Sequence, residues 1–547
     1  MIVDALLFPL YTLFLTVVGL GFFFLSTGGR FDDQLDGNVY FYPLAGLFSI
    51  GMTSMIINFF APVTSPVVWS FIAMFFGVGL VNLRSLLFRP LLWLVIFSAM
   101  LSPMAASMNP GYDAGLYHLP HQLWLRNEKI VFGLANFHGR FGFGSILEYI
   151  QAPLWIHDNL KLLSYNIAVF FVAFLLFLKQ FLDTARRSDW LRGYLLIVLV
   201  LVGLIFNFYL MNWSYGYTDV PAGLLFAMTF LVGLRLLYFD FIKSSGQIKF
   251  GQEVYFLGFL GLFAFTMKLS AAFIGLWLML VAIYLLWKKQ LKISTAAKYN
   301  LANVFFFSAF VVKNLVTTGC LLYPLAASCI PVSWNARTNA VNDANWITAW
   351  ARHPKSGLSS LESWSWLWNW WIPNRVEHLS VIAFTIFLAV FIALVTRYTS
   401  KYKEKGLGFI DIAAIIFILS ALGFWFANAP TPRFGIGIFI LLGPVLAVGV
   451  LGNSISVIRK IPNWSLLVLF LFVAVQFGDT HLLFGKSATD FDTVKVRDSD
   501  VVADKRYGTR PQEGDQCWLN FQCAPYNRPE PIINSGYMFF IPGKPSG

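Results

Sequence analysis

The chain has 547 residues, of which 58% are hydrophobic and 12% charged, with a formal net charge of +12. So much apolar surface with so few charges cannot be hidden in one soluble core, which excludes an ordinary water-soluble enzyme and a disordered chain and leaves a protein mostly embedded in a bilayer. The positive charge falls in loops beside apolar runs, so it reads as a topology signal, and nucleic-acid binding is not expected.

Residues 1–4 carry no basic segment and no A-x-A-like cleavage site precedes Arg30, so the first apolar window is expected to be a retained span. Windows long enough to cross the hydrocarbon recur near 5–25, 40–60, 67–83, 91–106, 165–181, 193–211, 219–237, 299–317, 379–397, 408–427, 434–452 and 463–478. The run 254–287 is too long for one crossing and has Lys268 in its middle, so it reads as a hairpin of two short helices. These add up to an all-α, polytopic membrane protein of about 14 transmembrane helices. Three parts are expected: N-terminal helices over 1–90, a core over 91–478, and a tail over 479–547.

Lys and Arg fall in alternate loops, around 84–89, 179–192, 235–249, 288–298, 397–405 and 459–460, which marks that side as cytoplasmic. The long segments 107–163, 318–378 and 479 onward then lie on the external face, and they hold all seven histidines and all four cysteines. An oxidising compartment allows disulfides there. Four cysteines allow three pairings, of which the local pairs Cys320–Cys329 and Cys517–Cys523 are favoured over the others and over free thiols. The tail is rich in Pro, Gly, Asp and Asn and reads as an irregular cap.

The segment 108–148 concentrates polar chemistry just past a membrane-length run. Asp113 is followed by His118, His121, His138 and Arg140. Asp113 could serve only as the cap of a helix starting near Ala114, and His118 with His121 could hold a divalent ion together with Asp113. Charged groups recur at the ends of apolar windows. Asp219 follows an aromatic loop, Lys268 sits at the hairpin turn, Lys313 and Asn314 precede Gly319, Tyr323 and Pro324, and Arg433 follows Ala429-Pro430-Thr431-Pro432. Snorkelling to the headgroups is the plain alternative for each cation, but convergence on the face that carries Asp113 points to a shared cavity. The alternating Trp364, Trp366, Trp368 and Trp370, with Trp371, suggest an aromatic face on an extended segment or an interfacial belt, with anchoring favoured over sugar or prenyl stacking.

Four separated segments resemble membrane glycosyltransferases of the GT-C type, which use polyprenyl-phosphate-linked donors. Asp113 in PGYDAGLYH matches the acidic residue of their first large external loop. GLFAFTMKLSAAFIGL, residues 261–276, is similar to a Gly-x-x-x-hydrophobic-Thr-Lys helix, with Met267 inserted before Lys268. VKNLVTTGCLLYP, residues 312–324, resembles an Arg-Asn-to-Tyr-Pro span end, with Lys313 in place of Arg and Cys320 in place of Asn. FANAPTPRFGIG, residues 426–437, resembles the Ala-Pro-Asp-Pro-Arg segment whose Arg faces the lipid phosphate, with Thr431 where Asp is common. More narrowly, GLYH, NFHGRFGF and CWLNFQCAPY resemble a group of uncharacterised multi-span bacterial membrane proteins, over about residue 110 to the end. The helices before residue 90 lie outside the usual GT-C core.

The resemblance implies an inverting transfer of a sugar from a polyprenyl-phosphate donor to a glycan or lipid acceptor of the cell envelope, on the external face of a bacterial inner membrane. Asp113 would be the base, and Arg433, Lys268 and Lys313 the phosphate clamp. Arg140 would join the clamp or the acceptor site, and His118, His121, His138, Asp219 and Tyr323 would complete the substrate-binding set. Glu128 and Glu148 are the acids nearby, and neither has the setting of a nucleophile that retention would require. No cofactor is expected, the divalent ion being the alternative. The partners implied are the lipid-linked donor, the acceptor and membrane lipids. The rival function is a transporter or flippase of an amphipathic lipid, which would favour repeated halves and helices broken at the midplane. The sequence shows no visible repeat, and its charges sit at helix ends.

Overall fold

The computed structural model describes residues 2–29, 39–83, 88–155, 160–187, 191–206, 214–215, 217–238, 241–353, 357–374, 408–451, 501–503, 507–525 and 529–542. Its frame is helical: α1 (Ile2–Thr27), α2 (Phe41–Asn58), α3 (Pro66–Asn82), α4 (Phe88–Ser107), the short α5 (Leu119–Asn127) and α6 (Ile146–Gln151), then α7 (Lys161–Arg187), α8 (Leu191–Phe206), α9 (Asp219–Tyr238), α10 (Phe241–Met267), α11 (Ile274–Trp287), α12 (Ile293–Thr318), α13 (Arg337–Arg352), α14 (Trp366–Asn374), α15 (Phe409–Asn428) and α16 (Ile436–Leu451).

Among the described residues nine helices are long and apolar enough to cross a membrane, fewer than the roughly 14 spans expected. Residues 66–82, 191–206 and 432–448 form shorter apolar helices, and the expected spans 379–397 and 463–478 lie outside the described residues. The hairpin over 254–287 does turn at Lys268. Its arms are longer than two short helices, because α10 begins at Phe241 and the second arm, Leu269–Trp287, is itself of membrane length.

One hydrophobic core runs from Phe8 on α1 to Trp518 in the tail. α1 lies so close to α2 that a Cβ on Gly19 would overlap the Tyr42 carbonyl, which is how small residues let membrane helices approach. α7, α9 and α10 are the interior helices, each 89% buried over its apolar window, whereas α11, α12 and α15 leave most of theirs on the outside.

The three long polar segments assemble into one cap at one end of the bundle. The Phe132 N–H donates to Met538 O and the Phe540 N–H to Phe132 O, while Asn136 Nδ2 donates to the Trp334 and Phe540 carbonyls. The described tail is more regular than expected. Val501–Ala503 pairs antiparallel with Thr509–Pro511, and Ile532–Asn534 with Tyr537–Phe539. The disulfides are the two local ones, Cys320–Cys329 and Cys517–Cys523. From Trp366 to Trp371 the tryptophan run is a helix and not an extended segment, with Trp364 in the turn before it. Trp366 and Trp370, one turn apart, are buried against Trp425 and Phe426, and Trp364, Trp368 and Trp371 are exposed.

Candidate functional site

Under the cap, between α9, the turn 268–273, α13, α15 and α16, lies a cavity of about 620 Å³. Its charged wall is built by a helix crossing. Gly223 of α9 and Gly437 of α16 face each other so closely that a Cβ on Gly437 would stand 2.6 Å from Gly223 O. One turn earlier on each chain stand Asp219 and Arg433, which the crossing therefore brings together, with Arg433 Nε 3.8 Å from Asp219 Oδ2. The Arg433 Nη2 donates to Asp113 Oδ2 at 3.2 Å, across 320 positions of sequence, and Lys268 pairs with the other oxygen of Asp219. The Arg433 guanidinium is stacked between Tyr217, at 4.7 Å, and Trp350, at 5.1 Å, and Lys268 lies over Phe434. Two cations and two carboxylates are thus held together in one wall, and Phe226, Phe273, Phe424 and Ile438 are among the apolar residues of the lining.

Asp113 is not a helix cap. It sits in helical backbone with no capping hydrogen bond, and its carboxylate is given to Arg433. The turn after it, Ala114–His118, is a π-helix, in which the Leu119 N–H reaches back to Ala114 O. The next donor in that pattern would be residue 120, which is a proline, so the Gly115 carbonyl has no partner within its own helix. The tail supplies one: the N–H groups of Cys517 and Trp518 both donate to Gly115 O at 2.9 Å. Gly115 is required there, because a Cβ would meet the Trp518 indole at 2.5 Å. The Tyr112 hydroxyl adds bonds to both oxygens of Asp515, at 2.5 and 2.6 Å, and Asp515 lines the cavity.

His118 and His121 share one buried carboxylate. Their Nδ1 atoms lie 2.6 and 2.5 Å from the two oxygens of Glu148, which is 2% exposed. Ser145 fixes the approach by capping α6 through the Leu147 N–H and by donating to Met267 O at the end of α10. Burial pushes the Glu148 carboxyl up, but the charge of His121 and the hydrogen bonds from both histidines prevail and hold it at about 2. Among the described residues no group of three His, Cys, Asp or Glu is arranged to hold a metal ion.

A third cluster closes the far wall. The Tyr323 hydroxyl donates to Asp343 Oδ2 at 2.6 Å, and Arg140 Nε stands 3.7 Å from Asp343 Oδ1. Burial raises the Asp343 carboxyl above its usual range, against the opposing effects of Arg140 and Tyr323. The loop 139–144 is packed tightly on this pair. Gly142→Ala would place a Cβ 2.7 Å from the Tyr323 ring, so it is expected to cost about 1–3 kcal/mol, read as a lower thermal midpoint of the purified protein.

Of the residues expected from sequence, Asp113, His118, Arg140, Asp219, Lys268, Tyr323 and Arg433 line the cavity together. His121, His138 and Lys313 do not. His121 stands behind Glu148, His138 Nδ1 accepts from the Arg140 N–H at the start of the 139–143 turn, and Lys313 donates to Gly144 O under the same loop. Glu148 and Asp515 are additional acids of the wall, and Asp343 stands behind Arg140 and Tyr323; the sequence did not assign any of the three to the site. Ser145-Ile-Leu-Glu148 carries the capping-box pattern, which gives Glu148 an ordinary reading. Asp343 and Asp515 lie in segments without a recognisable motif.

A bundle of membrane-length helices with a roofed, ion-paired, amphipathic cavity defines a multi-pass membrane protein. The family model described as a domain of unknown function, DUF8201, matches residues 1–440, and the chain belongs to that family. That match takes in the helices before residue 90, which are therefore part of the family and not an addition to it. No curated protein and no solved structure matches the chain.

Proposed function

We propose that the protein is a GT-C-type glycosyltransferase that moves a sugar from a polyprenyl-phosphate donor to a cell-envelope glycan or lipid acceptor. The observation that carries this reading is the meeting of Asp113, Asp219, Lys268 and Arg433 in one 620 Å³ cavity that also has apolar lining. A ligand with a phosphate head and a hydrocarbon tail matches both characters. A lipid phosphate competes with Asp113 and Asp219 for Arg433 and Lys268, since Arg pairs well with phosphate oxygens. Donor binding then frees the Asp113 carboxylate. In a single inverting displacement the acceptor hydroxyl oxygen bonds to the sugar, its proton passes to Asp113, and the sugar–phosphate bond breaks with its electron pair left on the phosphate. On this reading the cap faces the external side of a bacterial inner membrane, in keeping with the alternation of basic loops along the sequence, with membrane lipids around the outer helices.

The test is the glycan and lipid-linked sugar profile of cells carrying wild type or Asp113→Asn at matched membrane levels. Loss of one sugar from a glycan, with accumulation of its lipid-linked donor, is the expected outcome. An unchanged profile would remove the transferase reading and favour transport of an amphipathic lipid through the same cavity.

A further inference from the structure

The His118–Glu148–His121 trio is a second ionisable system on the cavity wall, and donor binding at Arg433 leaves it unused. An ionised carboxylate only accepts hydrogen bonds, so the two Nδ1 atoms at 2.6 and 2.5 Å both carry protons. For His118, which lines the cavity, that leaves Nε2 as the open ring nitrogen, and it has no hydrogen-bond partner among the described residues. This is the arrangement in which a carboxylate fixes tautomer and orientation so that the far nitrogen can take a proton. Behind the trio lies a second cavity of about 10 Å³ lined by His121, Trp124 and Tyr149. His121 Nε2, Trp124 Nε1 and the Tyr149 hydroxyl are buried without a hydrogen-bond partner among the described residues. That volume is the size of one water, and three polar atoms are the usual number of partners for one.

We propose that His118 is a second proton-transfer residue of the cavity, oriented by Glu148, with His121 as the positioning residue that holds the other Glu148 oxygen and rests on a single buried water shared with Trp124 and Tyr149. The role in turnover rests on the transferase reading. Asp113 gains a proton in each transfer and has to lose it. The proton passes from the Asp113 carboxyl through water in the cavity, which both residues line, to His118 Nε2, which restores the carboxylate and makes an imidazolium against Glu148. The imidazolium then releases the proton from Nε2 to water in the cavity. The groups around Glu148 are Tyr117 and His118 on the π turn, His121 on α5, Tyr149 on α6 and Lys313 on α12, and Asp113, Arg140 and Arg433 face Tyr117 beside them.

Two measurements on the full chain in detergent or nanodiscs test this separately. In ¹⁵N-histidine NMR, with His118→Asn for assignment, the neutral His118 ring is expected to carry its proton on Nδ1, with a downfield hydrogen-bonded proton signal that Glu148→Gln removes. A ring protonated on Nε2, or a signal indifferent to Glu148→Gln, overturns the proposal whatever the protein does. In transfer assays His118→Asn and Glu148→Gln are each expected to lower kcat about 10–100-fold with KM little changed, and to flatten the rate profile across pH 5–8, where histidine changes charge. Transfer that persists with an unchanged profile in either variant overturns the relay while the transferase stands. Absence of any transfer by wild type removes the turnover role together with the transferase reading, and the NMR result alone then decides whether His118 is a proton acceptor.

Discussion

On the proposed transferase reading, Arg433→Ala is expected to cut transfer by ~10²–10³-fold, the loss seen when one preorganised charge is removed from a transition state, and on any reading to destabilise the protein by about 2–4 kcal/mol. The two losses have different origins. The first comes from the leaving phosphate, which would keep only Lys268 in this wall of the cavity. The second comes from the resting protein, where Arg433 touches both Asp113 and Asp219 and is stacked between Tyr217 and Trp350. Without the guanidinium, Asp113 loses its cation and Asp219 is left with Lys268 alone. Adding Asp113→Asn to Arg433→Ala removes one of those carboxylates and is expected to restore part of the thermal midpoint while restoring no transfer. Arg433→Lys keeps the charge but loses the fork that spans two carboxylates, and is expected to fall between wild type and Ala in both measurements. Equal recovery of stability and transfer in the double variant would mean that Arg433 is structural only.

Glu148→Ala is expected to be the most destabilising single change at the site, by about 3–5 kcal/mol, because two buried imidazole N–H groups lose their acceptor. Glu148→Gln keeps an acceptor oxygen and is expected to cost less. The acid dependence follows from the Glu148 carboxyl, which has an ordinary value of 4.5 and is held at about 2 in the fold. A value depressed by folding stabilises the native state above the ordinary value, and that contribution is lost as pH falls toward the depressed one. The contribution is on the order of 3 kcal/mol above about pH 5 and disappears between about 4.5 and 2. Thermal midpoints of wild type and Glu148→Gln, measured in detergent from pH 7 to pH 3, should therefore converge as the pH drops. A constant gap would remove Glu148 as the source.

The membrane character, the approximate position of most spans and the grouping of the long polar segments were legible because they depend on hydropathy and charge, which are local in sequence. The meeting of Asp113, Asp219, Lys268 and Arg433 was legible only as a convergence of helix ends. What fixes the contact, the Gly223–Gly437 crossing one turn below, is a pairing of two unremarkable glycines in apolar runs. Asp113 shows the limit of local pattern most clearly, since an acid before a helix start reads as a cap until a distant arginine claims it. His118 and His121 were singled out, but their common partner was hidden inside a capping-box pattern. The tryptophan run misled in the other direction. Alternation over four residues fits a strand, and the i,i+4 pair Trp366 and Trp370 carries the burial instead.

The Gly115 carbonyl, left without a helical partner by the π turn and Pro120, has a consequence for biogenesis. Its donors belong to Cys517 and Trp518, far beyond α16 in the order of synthesis. A nascent chain can insert every described helix of the bundle and bring the four cavity charges together, yet still lack one wall and carry an unsatisfied carbonyl beside Asp113. The wall is finished only when the segment 515–518, tied by the Cys517–Cys523 bond, docks on the π turn and brings Asp515 to the cavity. A chain cut before that segment would present the charges without the enclosure.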